Sequence, residues 1–468
     1  MRKILPYLLL LLLFACSKDG LDRVETTESK DSSLKELIFE SDNNSSMNNI
    51  NASSYLNGVM VYVTVPEGVS LTNLVPTFNI NDAAIVTINN KVIESGVTPI
   101  DFTECVSVTI TAQAGNSSKY YVCVKNGISR ADNLVYSFMK TYNIPGISVT
   151  FGKEEGNIYS YGYGLANTST YERVTPNHLF RLASVSKQQT VLAIMTLYEQ
   201  GKLKIDDRVF GRGGLLEEEF GTDITGTPAT VTVRNLLEHT SGWVSDPDPL
   251  FTSSSMYNGK SLKERVEYVI KNVDQSYIPG SKYSYYNLGY GILGIIIEKL
   301  GCKDYETFIH EEVHAKAGVS DIHVGGGIGD RRDNEVVYYS QGGTDGYGNN
   351  MEIIKAAGGV IASTNELVKL LCTIDYSSKV PDILKKETLD LMYTPSEAYN
   401  RYGLGWRMNH SLFTNWASYH TGNLAGTATL WKRGANGVHA AILCNSRSYI
   451  DGFDTALYVL LDDMEHAL

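Results

Sequence analysis

Apolar and polar residues alternate along the first part of the chain. The alternation runs unbroken from Val106 to Ala112, which predicts a strand with one buried face. A turn signal follows at Gly115-Asn116-Ser117, and β-favouring runs occupy Tyr120 to Val124 and Val59 to Val65. Short strands separated by turns predict a small β-sandwich over residues 32–126.

The spacing of apolar residues changes beyond this segment. Leu134, Phe138 and Tyr142 recur at helical spacing and predict an opening helix. Two β-favouring runs follow at 147–151 and 158–164, joined through a Gly-Asn turn. Strands and helices are therefore mixed in the second part of the chain, unlike the first.

The amino terminus is typical of an export signal. Arg2 and Lys3 precede the apolar run Leu5 to Phe14, which is too short to span a bilayer. The run ends in Leu-Phe-Ala-Cys, which resembles a bacterial lipobox with Cys16 as the lipid-bearing residue. This predicts a signal peptide at 1–15, a solvated tether at 16–31 and a lipid-anchored protein of the bacterial cell envelope. The alternative is an ordinary secretory signal with a chance cysteine.

The composition and charge of the chain limit the classes of partner that we expect. The 468 residues are 43% apolar and 20% charged, which is typical of a globular chain. The net charge is −12 and no block of basic residues occurs, so we expect no nucleic-acid partner. The expected partners are a small-molecule or peptide substrate and, through the lipid, a membrane.

One cysteine pair falls in the predicted sandwich. If Val106 lies opposite Val122 in a hairpin, Cys105 lies opposite Cys123, close enough for a disulfide. Two separate thiols are the alternative. The segment loosely resembles immunoglobulin-like modules at the front of surface lipoproteins, which implies a spacer or adhesion role.

A serine and a lysine three residues apart are the leading candidates for chemistry. Ser184 and Lys187 share one face of a predicted helix, where the amine reaches the hydroxyl and free N–H groups point at it. This arrangement suits acyl transfer by a serine nucleophile. The spacing alone is weak, because the chain has two more Ser-x-x-Lys matches, Ser32/Lys35 and Ser137/Lys140.

Further motifs follow in a fixed order. They are Ile144-Pro145-Gly146, Tyr161–Gly164, Phe180–Lys187, Thr232–Trp243, Tyr285-Tyr286-Asn287, Ala357–Thr364, Tyr402–Trp406 and His420-Thr421-Gly422. Residues 129–468 thereby resemble the serine β-lactamase and penicillin-binding-protein superfamily, in the branch of class C β-lactamases, D-alanyl-D-alanine carboxypeptidases and esterases. The resemblance implies an α+β fold, with an antiparallel sheet flanked by helices and a helical subdomain. It also implies a serine hydrolase acting on amide or ester bonds without metal or cofactor.

The resemblance assigns roles to the motif residues. Ser184 is the expected nucleophile, and Lys187 and Tyr285 are expected to move protons, either one being the base. We also expect the nearby ammonium to lower the pKa of Tyr285.

Other residues are expected to hold the substrate. Asn287 is expected to donate to a substrate carbonyl and accept from Lys187, and Thr421 to orient substrate. Gly422 leaves room for substrate backbone, and the N–H groups of the nucleophile and Asn423 would form the oxyanion hole. Class C β-lactamases usually carry Lys where His420 stands, so the resemblance favours a peptidase or esterase over a β-lactamase.

Two other functions are alternatives. His310-Glu311-Glu312-Val313-His314 matches the H-E-x-x-H signature of zinc peptidases, with Glu311 as base. The other alternative is a non-catalytic surface binding protein built on a hydrolase scaffold.

Overall fold

The structure is a computed structural model that describes residues 28–468 except 48, 128, 155, 246, 252–255 and 410–413. The predicted signal peptide, Cys16 and most of the predicted tether lie outside the described residues. The chain forms two compact units that divide between residues 124 and 125, with the short stretches 55–60 and 64–69 grouped with the second unit. No helix in the described part of the chain combines the length and apolar character needed to cross a membrane.

Among the described residues before 127, the regular elements are strands and one short 3₁₀ turn. The strands are β1 (Glu36–Phe39), β2 (Ala52–Ser53), β3 (Tyr55–Asn57), β4 (Met60–Val65), β5 (Thr77–Asn79), β6 (Ile85–Ile88), β7 (Lys91–Ile93), β8 (Val106–Thr111) and β9 (Ser117–Asn126). They form one sheet of order β2-β1-β5 and another of order β3-β4-β9-β8-β6-β7. The predicted all-β segment ahead of a mixed domain is confirmed.

The hairpin of β8 and β9 has the register that the alternating pattern favours. Val106 lies opposite Val122, and a disulfide joins Cys105 to Cys123 with their Cα atoms 4.3 Å apart. Val108 and Ile110 of β8 are both fully buried because alternate residues of a strand face the same side.

Helices and strands alternate in the second part of the chain. The helices are α1 (Ser129–Tyr142), α2 (Ser186–Glu199), α3 (Glu217–Phe220), α4 (Val233–Leu237), α5 (Leu262–Asn272), α6 (Asn287–Gly301), α7 (Tyr305–Ile309), α8 (Met351–Gly358), α9 (Thr364–Leu371), α10 (Lys386–Tyr393) and α11 (Phe453–Ala467). The strands are β10 (Gly146–Lys153), β11 (Gly156–Asn167), β12 (Glu172–Arg173), β13 (Phe180–Arg181), β14 (Ile322–Val324), β15 (Tyr339–Ser340), β16 (Val360–Ala362), β17 (Arg407–Met408), β18 (Trp416–Leu424), β19 (Thr427–Gly434), β20 (His439–Cys444) and β21 (Ser446–Arg447).

A seven-stranded antiparallel sheet dominates this part, in the order β12-β11-β10-β20-β19-β18-β17. Helix α9 packs on β10 and β20, and α1 packs against α11, where the rings of Phe138 and Phe453 lie 5.5 Å apart. Helices α3 to α5 fall between α2 and α6, as the predicted helical subdomain requires. The predicted α+β architecture, an antiparallel sheet flanked by helices, is confirmed.

Two features of this fold position the site. Helix α2 is buried from Ser186 to Leu197, so core packing anchors the turn that precedes it, while Ser184 on that turn is partly exposed. Strand β17 pairs only with Ser418 and Tyr419 of β18, so the stretch of β18 beyond them has a neighbouring strand, β19, on one side only. That open edge runs beside the start of α2.

Candidate active site

Ser184 lies on the 3₁₀ turn Ala183–Val185, which leads directly into α2. Ala183 has a φ of +48°, in the left-handed region. Lys187, in the first turn of α2, directs its Nζ to the Ala357 carbonyl oxygen at 2.7 Å and to Ser184 Oγ at 3.3 Å. The carbonyl therefore anchors the amine beside the hydroxyl.

Lys187 is fully buried, and this controls its charge. Burial, opposed by the nearby Asp248 and assisted by Arg407, lowers the pKa of its ammonium from 10.5 to about 7. A substantial fraction of the side chain is therefore the neutral amine at pH 7. A neutral amine 3.3 Å from a serine hydroxyl can accept its proton.

Tyr285 corrects one expectation. Burial raises the pKa of its phenol well above 10, and the neighbouring Ser184 and Arg407 oppose the rise without reversing it. The expected lowering by the ammonium is therefore wrong, because desolvation of a phenolate outweighs any nearby cation. Tyr285 Oη is buried with no hydrogen bond of normal geometry among the described residues. It stays a protonated phenol at neutral pH.

Asn287 is the first residue of α6 and lies two residues beyond Tyr285. Its Nδ2 donates to Asp248 Oδ2 at 2.6 Å, while its buried Oδ1 has no hydrogen-bond partner among the described residues. The expected hydrogen bond from Lys187 to Asn287 is therefore not formed. Asp248, which was not predicted, orients the amide.

Strand β18 brings the third motif against the serine turn. Thr429 Oγ1 on β19 donates to the Leu182 carbonyl oxygen at 2.8 Å, next to Gly422. A Cβ added at Gly422 would overlap that carbonyl and Thr429 Oγ1, so only glycine fits there. Asn423 follows on the open edge and is exposed. Its predicted oxyanion role with the nucleophile N–H stays a prediction.

His420 is a residue of this strand, and its side chain is buried. Its Nε2 lies 3.1 Å from Tyr402 Oη and its Nδ1 lies 2.7 Å from the Thr421 carbonyl oxygen. Burial and the cations Arg407 and Lys187 hold the pKa of its imidazole well below 6.5. His420 is therefore neutral at pH 7, unlike the lysine expected at this position in class C β-lactamases.

Four residues around the site had no role predicted from the sequence. They are His239, Asp248, Tyr402 and Arg407. Two of them lie within motifs quoted for the resemblance, but neither had an assigned role. Arg407 directly follows the Tyr402–Trp406 motif, which was its only signal.

The residues of the zinc signature lie elsewhere. His314 points inward and its Nε2 lies 2.9 Å from Gln189 Oε1, while Glu311 pairs with Lys303 at 2.5 Å. Residues 310–314 form a π-helical turn in which the rings of His310 and His314 lie 6.5 Å apart. No group of three or more His, Cys, Asp or Glu residues suited to a metal ion occurs in the described ranges. The geometry does not support a zinc peptidase site.

The fold, and a buried amine beside a serine at the start of a core helix, suit an acyl-transfer enzyme. Residues 131–463 match the family described as beta-lactamase. This match covers more than half of the chain, so the chain belongs to the β-lactamase family, a superfamily of serine hydrolases that act through an acyl-enzyme. Residues 44–124 match a second family, described as SGBP, N-terminal.

Curated relatives are distant. Protein flp of Staphylococcus aureus (strain NCTC 8325 / PS 47) is 26% identical over 178 residues, which are 38% of this chain and 34% of that protein. The matched region thus spans about a third of that relative's length. Penicillin-binding protein 4* of Bacillus subtilis (strain 168) is 26% identical over 301 residues, 60% of this chain and 63% of that protein.

Solved structures share the fold. An octameric penicillin-binding protein homologue from Pyrococcus abyssi is 22% identical with a TM-score of 0.57, covering 73% of this chain and 79% of its own. D-amino acid amidase from Ochrobactrum anthropi SV3, in complex with L-phenylalanine, is 22% identical with a TM-score of 0.58. The match covers 72% of this chain and 98% of the amidase chain. A class C β-lactamase mutant is 19% identical with a TM-score of 0.60. The match covers 73% of this chain and 97% of the β-lactamase chain.

Proposed function

We propose that this protein cleaves amide or ester bonds through an acyl-enzyme on Ser184, as a D-alanyl-peptidase-type or esterase-type hydrolase. The observation that carries the proposal is the environment of Lys187. Its Nζ lies 3.3 Å from Ser184 Oγ, and burial lowers its pKa to about 7. A buried lysine that forms no ion pair with a described carboxylate is costly to the fold, and acid–base catalysis at neutral pH is a function that requires one.

The proposed mechanism begins with Ser184 Oγ attacking the substrate carbonyl while its proton passes to Lys187 Nζ. The tetrahedral oxyanion is held by the backbone N–H groups of Ser184 and Asn423. The Tyr285 phenol donates its proton to the departing amine or alcohol, and the proton on Lys187 replaces it. Water then attacks the acyl-enzyme and releases the acid. Asn287 and Thr421 orient the substrate in this scheme.

Arg407 favours a substrate that carries a carboxylate. Its Nε is buried without a hydrogen bond, and it forms no ion pair with a carboxylate in the part of the chain that the structure describes. Its charge reaches Lys187 and Tyr285, because it lowers the pKa of both. A desolvated cation gains most from an anionic ligand. The carboxy-terminal D-amino acid of a peptide supplies such a group beside the scissile bond.

Mass spectrometry of the intact protein tests the proposal. The protein is incubated with penicillin, a D-Ala-D-Ala peptide or a p-nitrophenyl ester, and the mass and lifetime of each adduct are recorded. We expect a covalent adduct on Ser184, with fast turnover of the peptide or the ester and a long-lived penicillin adduct. Ser184→Ala should form none and lose several orders of magnitude of turnover. Absence of any adduct and any hydrolysis would favour the non-catalytic alternative.

The remaining sequence-based assignments extend this proposal. We propose that Cys16 carries a lipid that holds the protein at the cell envelope, and that residues 32–126 and 129–468 are separate domains. Cys16→Ser should move the protein from the membrane fraction to the soluble fraction. Limited proteolysis should cut first between the two domains.

A further inference from the structure

We propose that Tyr402 is a positioning residue: its hydroxyl joins His239 to His420 and thereby holds the ring of Tyr285 in place. This inference rests on the proposed acyl-enzyme function. Tyr402 Oη lies 3.2 Å from His239 Nε2 and 3.1 Å from His420 Nε2. All three side chains are buried. The hydroxyl therefore bridges two imidazoles that belong to motifs 181 residues apart in the chain.

The backbone determines which nitrogen of each imidazole carries a proton. The Tyr286 N–H donates to His239 Nδ1 at 3.0 Å, so Nδ1 is unprotonated and the proton lies on Nε2. His420 Nδ1 lies 2.7 Å from the Thr421 carbonyl oxygen, which can only accept. His420 is therefore protonated on Nδ1, and its Nε2 has a free lone pair.

Both imidazoles are neutral, so each carries a single ring proton. Burial and the nearby cations Lys187 and Arg407 hold the pKa of His239 and of His420 well below 6.5. A protonated imidazole would bring an additional positive charge into this buried cluster.

These tautomers leave one direction for the hydrogen bonds through Tyr402. His239 Nε2–H donates to Tyr402 Oη, and the Tyr402 hydroxyl donates to His420 Nε2. In the described structure the Tyr402 hydroxyl serves both rings, because it accepts and donates through one atom. Tyr290 also contacts this hydroxyl, but it directs its own proton to the Leu237 carbonyl oxygen at 2.9 Å. The result is a directed chain from the backbone N–H of Tyr286 to the backbone carbonyl of Thr421.

This chain acts on the proposed proton donor. The ring of Tyr285 lies 4.1 Å from the His239 ring and 6.3 Å from the His420 ring, measured between centroids. The Tyr285 hydroxyl lies beside Ser184 but has no hydrogen bond of normal geometry in the described structure, so contacts of its ring contribute to its position. The Lys187 amine lies 4.9 Å from the same ring. An imidazole free to turn would loosen the alignment of Tyr285 with the leaving group.

Tyr402→Phe removes the bridging hydroxyl and keeps the ring. We expect kcat for the ester or peptide substrate to fall about tenfold or more while KM changes by less than about twofold, since misalignment acts on the chemical step. Tyr393→Phe is the matched control, because Tyr393 Oη donates to the Ile374 carbonyl at 3.0 Å away from the site. That variant should lose comparable thermal stability and keep its kcat. Equal kcat losses in the two variants would overturn the proposal.

A spectroscopic measurement tests the chain without activity. In the full chain labelled with ¹⁵N-histidine, two-bond ¹H–¹⁵N correlations distinguish the two neutral tautomers, with signals assigned from His239→Gln and His420→Gln. We expect the Nε2–H form for His239 and the Nδ1–H form for His420. Either opposite tautomer would overturn the inference, even if Tyr402→Phe fails to fold. If the wild-type protein has both expected tautomers but hydrolyses none of the substrates, the proposed function is refuted and the hydrogen-bond chain through Tyr402 is not.

Discussion

Lys187→Met should make the protein more stable while abolishing catalysis. Burial lowers the pKa of Lys187 from 10.5 to about 7, so folding at neutral pH must strip a proton from a group that is charged in the unfolded chain. At pH 7 this costs about 4 kcal/mol, from 1.36 kcal/mol per pKa unit. Methionine has a similar length and no charge, and its introduction removes this cost.

Two lost hydrogen bonds offset part of the gain. Lys187 Nζ bonds the Ala357 carbonyl at 2.7 Å and contacts Ser184 Oγ at 3.3 Å. Leaving the buried carbonyl unpaired costs about 1–3 kcal/mol. We therefore expect a net stabilisation of about 2 kcal/mol at pH 7.

The pH dependence has a defined sign. Between pH 7 and 10.5 the unfolded chain holds a proton on Lys187 that the folded chain lacks, so wild-type stability rises with pH across this window. Lys187→Met has no titrating group at this position, so its stability does not include this pH-dependent contribution. The stability of the variant relative to wild type should fall by about 3 kcal/mol between pH 7 and pH 9.5, so that the variant becomes the less stable protein at pH 9.5, and it should stay nearly level below pH 7.

Tryptophan fluorescence during urea unfolding measures this difference. All four tryptophans lie in the second unit, so the signal reports on that unit alone: Trp243, Trp406, Trp416 and Trp431. Lys432→Met is the matched control, because Lys432 is also fully buried but forms an ion pair with Glu465. Lys432→Met should destabilise the protein, since it leaves the Glu465 carboxylate without its cation. A Lys187→Met variant that is less stable than wild type at pH 7, or a stability difference that does not change with pH, would refute the reasoning.

The remaining predictions concern catalysis. The kcat/KM should rise with pH and level off above about 7, because neutral Lys187 is the proposed base; a fall through pH 7 in a pH–rate profile would contradict it. Gly422→Ala should cut acylation more than about tenfold, since its Cβ would overlap the Leu182 carbonyl and shift β18, whereas Gly329→Ala, in open space, should not. Arg407→Met should raise KM for a D-Ala peptide more than for a neutral ester. It should also move the pH midpoint upward, because Arg407 lowers the pKa of Lys187; equal KM changes for both substrates would exclude the carboxylate role.

Short-range patterns were predictable from the chain alone. The alternation at 106–112 predicted strand β8, because side chains of a strand repeat every two residues, and the pairing of Val106 with Val122 that was considered for the hairpin is the one found. The spacing of Ser184 and Lys187 predicted their contact, because residues three apart share one helical face. The order of motifs predicted the family, which the match over 131–463 confirms.

Long-range electrostatics needed the tertiary structure. The sequence placed an ammonium near Tyr285 and predicted a lowered pKa, whereas burial by the surrounding core raises it. The amide of Asn287 binds Asp248 rather than Lys187, because the loop before α5 supplies a carboxylate that no local pattern indicates.

What the sequence by itself determined is therefore a part of the strands and helices and the pairing of the nucleophile with its amine, both of which depend on spacing along one segment. Only the tertiary structure decided the charge of that amine, the neutral state of His420 and the bridge through Tyr402. Each depends on desolvation by residues distant in the chain, and desolvation is a property of the packed molecule.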